Sequence, residues 1–119
     1  MKPQKHGITR IINATHYSLQ GLRYAWKSES AFREEIVIGF FLVIAAFFVA
    51  DNNIEIALLI GTCFFVVVTE IINSAIEAVV DRAGTEHHEL AGAAKDMGSA
   101  AVMLSIGLLI LTWGLLLSN

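Results

Sequence analysis

Charged residues are scarce in this chain, and cysteine and proline occur once each. Only 16% of its 119 residues are charged, against roughly 25% in an average globular protein. With 55% hydrophobic residues and a mean hydropathy of +0.64, a chain this short has too much surface to bury its apolar side chains by folding alone. The composition therefore predicts a membrane protein, and it excludes a disordered chain.

Other absences exclude whole classes of function. A single cysteine, Cys63, excludes an internal disulfide framework and a multi-cysteine metal site. A formal net charge of −3, without a basic run interleaved with aromatic residues, excludes a generic nucleic-acid binder. The sequence contains neither a phosphate-binding loop nor a dinucleotide fingerprint. Any nucleotide site must therefore come from membrane helices and short loops, and we expect subunits of a homo-oligomer to share it.

Three long apolar stretches predict transmembrane helices at about 31–50, 56–80 and 97–117. The uncharged part of the first stretch covers 36–50 only, so residues before it must extend the span. Trp113, near the end of the third stretch, is typical of an interfacial anchor. We expect one integral-membrane domain over 1–119. A soluble helical bundle is disfavoured because the chain has almost no polar residues to form its surface.

The basic residues predict the orientation in the membrane. Arg82 and Lys95 lie between the second and third stretches, and the connection 51–55 has no basic residue. Six others precede the uncharged part of the first stretch: Lys2, Lys5, Arg10, Arg23, Lys27 and Arg33. By the positive-inside rule the N-terminus and the 81–96 loop are cytoplasmic.

The segment about 7–27 is predicted to be an amphipathic helix on the cytoplasmic membrane surface. At helical spacing its apolar residues form one stripe, and Gly21 is a candidate break. The pattern leaves open whether this helix is a simple anchor or a lid over a site. The stripe consists of Ile8, Ile11, Ile12, Leu19, Leu22 and Trp26.

The second apolar stretch contains one polar face. Glu70, Asn73, Ser74, Glu77 and Asp81 all share it at 100° per residue. Because a charge near the centre of a membrane span costs about 2.5–3.5 kcal/mol, this face must look at protein or water. Hydrogen bonding between helices is an alternative role for Asn73 and Ser74.

Glu70 and Glu77 lie about 10 Å apart along the helix axis, and therefore at different depths in the membrane. Glu77, near the interface, suits Mg²⁺, which takes one or two carboxylates together with phosphate oxygens. Glu70, in apolar surroundings, is a candidate proton acceptor. Lys95 could neutralise phosphate or simply extend to the interface. Three more carboxylates, Glu29, Glu34 and Glu35, lie at the same membrane level, and the pattern does not choose among them.

Four segments of the chain resemble a known family. The runs EIINSAIEAVVDR at 70–82 and HELAGAAKDMGSAAV at 88–102 are similar to the signature of the prokaryotic diacylglycerol kinases, as are GITRIINATHYSLQGLRYAW at 7–26 and AFREE at 31–35. The resemblance implies an all-α homotrimer in the bacterial inner membrane, built from three-span subunits that each have a surface helix. It also implies transfer of the γ-phosphoryl group of MgATP to diacylglycerol, giving phosphatidic acid.

The resemblance also implies roles for single residues. Glu70 would be the general base, and Glu29 and Glu77 would hold Mg²⁺. Contacts to the nucleotide would come from Arg10, Tyr17, Glu29, Glu77, Glu86, His88, Lys95 and Asp96. Contacts to the lipid would come from Arg10, Ala14, Glu70 and Ser99. His87 and Ala93 depart from the family's pattern and affect the expected nucleotide affinity.

Two alternatives remain open at this stage. Undecaprenol kinases of the same superfamily share the motif, so the lipid acceptor is not fixed by it. A small oligomeric proton or ion conductor would also use carboxylates inside a membrane helix. That second alternative leaves Glu29 and the pair Lys95–Asp96 without a role.

Overall fold

The computed structural model describes residues 6–84 and 88–119, and these residues form four α-helices. They are α1 (Gly7–Ser28), α2 (Ser30–Val49), α3 (Asn53–Arg82) and α4 (Glu89–Leu117). Helices α3 and α4 are long and apolar enough to cross a membrane. Most of their large apolar side chains are exposed on the outside of the fold, unlike those of a soluble core helix. The predicted all-α membrane fold is confirmed.

Helix α2 is less apolar at its beginning. Arg33, Glu34 and Glu35 occupy its first two turns, so its uncharged run extends from Ile36 to Val49. That run is roughly 21 Å long at 1.5 Å per residue, short of the ~30 Å hydrocarbon core of a bilayer. A third transmembrane span at about 31–50 therefore stays a prediction.

Helix α1 runs without interruption through Gly21, so the expected break there is wrong. A glycine inside a helix costs only about 1 kcal/mol relative to alanine, and the long helix absorbs that cost. The apolar stripe is exposed along its length, from Ile8 at 76% to Trp26 at 45% exposure. Its placement on a membrane surface stays a prediction.

The most tightly packed region joins α2, α3 and α4 near the 51–52 turn. Ala46, Leu59, Cys63 and Trp113 form a buried cluster there. The indole N–H of Trp113 donates to the carbonyl of Leu59 at 3.3 Å and to Oγ1 of Thr62 at 3.2 Å. Trp113 is only 8% exposed, so its prediction as an interfacial anchor is wrong. Its polar N–H finds partners inside the protein and does not need the interface.

Helices α3 and α4 pack through small and polar side chains. The hydroxyls of Thr69 and Ser105 are 2.9 Å apart, and further along the seam Gly98 lies directly against Asn73. A Cβ added at Gly98 would overlap the amide oxygen of Asn73. Small residues are what allow membrane helices to approach this closely. The Gly98–Asn73 contact therefore fixes the register of α4 on α3.

Replacing Gly98 with alanine is expected to destabilise the protein by about 1–3 kcal/mol, because the methyl group would displace the Asn73 side chain. Gly107→Ala is the matched control on the same helix, since nothing lies within 4 Å of a Cβ placed there. Denaturant unfolding of the purified protein in detergent, followed by circular dichroism, measures both variants. Equal stabilities for the two variants would show that the Asn73 contact does not set the helix register.

Candidate active site

A cleft of about 530 Å³ opens where the last turns of α3 meet the junction of α1 and α2. Glu29 comes from the junction and Glu77 from α3, so the structure places both carboxylates of the expected Mg²⁺ pair in one cleft. Among the described residues, the cleft is lined by Tyr24, Glu29, Glu77, Ala78, Asp81 and Arg82. Tyr24 and Arg82 are cleft residues that the sequence patterns did not single out.

Glu29 forms the connection between α1 and α2. Its backbone is extended, with φ −117° and ψ 107°, and it ends one helix and begins the next. Its N–H donates to the carbonyl of Ala25 at 2.9 Å, and its own carbonyl accepts the N–H of Arg33 at 3.2 Å. These bonds to both helices hold Glu29 at the bend, half-buried and at the cleft wall.

The polar face of α3 is buried or half-buried from Glu70 to Glu77 and exposed at Asp81, in agreement with its prediction as a face turned to protein or water. Glu70 is 6% exposed, Asn73 contacts Gly98 of α4, and Glu77 is half-buried at the cleft. Glu70 and Glu77 are about two turns apart, which is about 10 Å along the axis. Of these two glutamates, Glu77 is therefore open to the cleft, and Glu70 is enclosed by protein beyond it.

The carboxylates of this region act on one another electrostatically. Glu70 interacts with Glu77 and Glu29, and Glu35 interacts with Glu70. A cluster of like charges is unfavourable unless a cation or a proton compensates it. Among residues 6–84 and 88–119, no three metal-ligating side chains come together as a complete metal site. The cluster is thus suited to a cation that brings some of its ligands with it.

Glu35 is a site residue that the sequence reasoning left unresolved. Its Oε2 atom is buried without a hydrogen-bond partner, whereas Glu34 is exposed. Glu35 lies at helical spacing from Phe32 and Ala46, but their burial is known only from the structure, so the spacing alone does not single out Glu35. The inward face of α2 contains a carboxylate close to Glu70.

Lys95 lies at the rim of the cleft. Its ammonium is 3.1 Å from Oδ1 of Asp81, a cleft residue, and the two side chains are 42% and 67% exposed. An ion pair this exposed contributes only about 0–1 kcal/mol. Lys95 can therefore exchange Asp81 for an incoming phosphate at little cost.

The remaining predicted site residues do not line this cleft in the described part of the chain. Arg10, Ala14 and Tyr17 are exposed on α1, and Asp96 and Ser99 are exposed on α4. His88 begins α4, where its Nδ1 accepts the N–H of Leu90 at 3.1 Å. Glu86 and His87 lie outside the described residues. One chain thus brings together the carboxylates and Lys95, and leaves the α1 residues apart.

Comparison with known proteins identifies the family of this chain. The family model described as prokaryotic diacylglycerol kinase matches residues 16–117. The diacylglycerol kinase of Escherichia coli K12 is 52% identical over 111 residues, covering 93% of this chain and 91% of that protein. The Haemophilus influenzae enzyme is 48% identical over 108 residues, covering 91% and 92%. That of Helicobacter pylori 26695 is 45% identical over 112 residues, covering 94% and 88%. The chain belongs to the prokaryotic diacylglycerol kinase family.

Proposed function

We propose that this protein transfers the γ-phosphoryl group of MgATP to the hydroxyl of diacylglycerol and so produces phosphatidic acid. The observation that carries the proposal is the pairing of Glu29 and Glu77 in one cleft, with Glu70 buried beyond them. Family membership supports a lipid kinase, and the relatives named above are diacylglycerol kinases.

The cleft suits Mg²⁺ as the cofactor. Glu29 and Glu77 supply hard oxygen donors from two different parts of the chain, and two carboxylates are what Mg²⁺ usually takes when phosphate oxygens complete its coordination. When bound, Mg²⁺ would neutralise charge on the β- and γ-phosphates. Lys95 would add a further positive charge after leaving Asp81.

We assign Glu70 as the residue that accepts the proton of the lipid hydroxyl. The lipid hydroxyl attacks the γ-phosphorus, the bond from that phosphorus to the bridging oxygen of the β-phosphate breaks, and ADP leaves. The hydroxyl proton passes to the Glu70 carboxylate as the new bond forms. Because Glu70 is only 6% exposed, little water competes with the lipid hydroxyl, which limits hydrolysis of ATP.

We also propose a homotrimer in the bacterial inner membrane, with a cytoplasmic N-terminus and sites shared between subunits. The distribution of Lys and Arg supports the orientation. The exposed positions of Arg10, Ala14 and Tyr17 on α1 support the sharing, since a neighbouring subunit could bring these residues to the cleft.

Mixed oligomers test the sharing directly. Glu70→Gln chains combined with Arg10→Ala chains should regain activity, because a cleft with an intact Glu70 can receive Arg10 from its neighbour. Glu70→Gln combined with Lys95→Ala is the matched control and should stay inactive, since Glu70 and Lys95 belong to the α3–α4 seam of one chain. Activity measured on verified mixed oligomers separates the two cases. Failure of both mixtures would favour a site within one subunit.

The lipid acceptor is tested with purified protein in mixed micelles containing γ-labelled ATP and Mg²⁺. We expect the label in phosphatidic acid when diacylglycerol is supplied, and much less label in lipid when undecaprenol replaces it. Preferential labelling of undecaprenol would assign the other kinase activity of the superfamily. A protein that labels neither lipid but conducts ions in vesicles would be a conductor.

A further inference from the structure

Arg33, in the first turns of α2, reaches back to the end of α1. Its Nη1 donates to the carbonyl of Trp26 at 2.7 Å and to that of Lys27 at 3.2 Å. Both carbonyls belong to the last turn of α1, where the backbone has no partner within the helix. The positive guanidinium also lies at the negative end of the α1 dipole. Arg33 is thus a cap for α1 supplied by the next helix.

Arg33 forms bonds to the backbone both before Glu29 and at Glu29 itself. The side chain of Arg33 holds the residues before Glu29, and the backbone N–H of Arg33 bonds to the Glu29 carbonyl. The packing of α1 on α2 is sparser than that of α2 on α3 or α3 on α4. A weakly packed junction depends on such local bonds for its angle, so Arg33 determines where the bend between the helices directs Glu29.

We infer that Arg33 is a positioning residue that sets Glu29 across the cleft from Glu77, so that both carboxylates bind one divalent cation. The inference rests on the proposed function, because it assigns Arg33 a role in that same cation site. Arg33 acts through the backbone around Glu29 and does not line the cleft itself. Replacing Arg33 should therefore weaken cation binding more than it slows phosphoryl transfer by the cation-loaded protein.

The test is a Mg²⁺ titration of lipid kinase activity for Arg33→Gln at saturating ATP and diacylglycerol. We expect the half-saturating Mg²⁺ concentration to rise about 10-fold or more, the usual effect of losing a group that orients a metal ligand. At high Mg²⁺ concentration kcat should largely recover. The half-saturating Mg²⁺ concentration of Arg33→Lys should lie between those of the parent and Arg33→Gln, since an ammonium can still donate to a carbonyl of α1. A purely structural role would lower kcat at every Mg²⁺ concentration.

Arg23→Gln is the matched control, because it also replaces an arginine with glutamine. Arg23 is exposed on α1 and does not line the cleft. Its titration should coincide with that of the parent. An unshifted midpoint for Arg33→Gln, or equal shifts for both arginine variants, would overturn the inference. Direct Mn²⁺ binding to the purified proteins is the second readout, and it should weaken for Arg33→Gln and stay at the parental level for Arg23→Gln. If Arg33→Gln does not fold, as judged by circular dichroism and oligomer size, the same two measurements on Arg33→Lys decide the question.

The same titration of Glu29→Gln distinguishes failure of the positioning role from failure of the cation site. A shift for Glu29→Gln without one for Arg33→Gln rejects the positioning role alone. No shift for Glu29→Gln rejects the cation site, and the role of Arg33 with it.

Discussion

Glu70→Gln is expected to reduce kcat by about 10²–10⁴-fold while leaving the KM for ATP nearly unchanged. Glutamine has the size of glutamate and can form similar hydrogen bonds, but it cannot accept the proton of the lipid hydroxyl. Glu29, Glu77 and Lys95 remain in place, so nucleotide binding should persist. Steady-state kinetics in mixed micelles, with both substrates varied, measure the two parameters separately.

Glu70→Asp should recover part of this loss, because its carboxylate is present but withdrawn by one methylene group. The control is Glu55→Gln at the opposite end of α3, where the side-chain oxygen accepts the N–H of Asp51 and glutamine can do the same. That variant should retain parental activity. A Glu70→Gln protein that turns over lipid at the parental rate as an intact oligomer would rule out Glu70 as the base.

Glu77→Gln should produce the second large effect, on the use of Mg²⁺. Loss of one of the two carboxylates assigned to the cation should raise the half-saturating Mg²⁺ concentration by about 10–100-fold or more, since even the groups that orient metal ligands have effects of this size. The KM for ATP should rise with it, because metal and nucleotide bind together. Activity measured across a grid of Mg²⁺ and ATP concentrations tests both changes.

Asp81→Asn serves as the comparison for Glu77→Gln. Asp81 also lines the cleft, but it is paired with Lys95, so its loss should release the ammonium and leave the Mg²⁺ midpoint much closer to that of the parent. If Glu77→Gln and Asp81→Asn gave the same Mg²⁺ dependence, the cleft would respond to total charge, and Glu77 would have no special part in holding the cation.

Helical periodicity was sufficient to predict the polar face of α3, because charges inside an apolar helix have to share one protected side. It did not distinguish Glu29 from Glu34 and Glu35. The resemblance selected Glu29, and the structure then places Glu29 in the cleft and Glu35 near Glu70.

Other features depend on contacts between helices, which no single segment encodes. The close approach of Gly98 to Asn73 can be predicted only when the register of α4 on α3 is known. The position of Trp113 near the end of an apolar stretch predicts an interfacial anchor, but the bond from its N–H to Thr62 depends on how α4 packs on α3. The sequence shows Arg33 only as a basic residue near the membrane, because its bonds to the end of α1 depend on the angle between α1 and α2.

The central claim is a division of roles, in which Glu29 and Glu77 hold the metal nucleotide and Glu70 accepts the proton. Electron paramagnetic resonance of Mn²⁺, titrated into the purified protein with ATP present, tests it most directly. The account predicts tight Mn²⁺ binding by the parent and by the inactive Glu70→Gln variant, and much weaker binding by Glu29→Gln and Glu77→Gln. Unchanged binding in those two variants, or its loss in Glu70→Gln, would contradict the account.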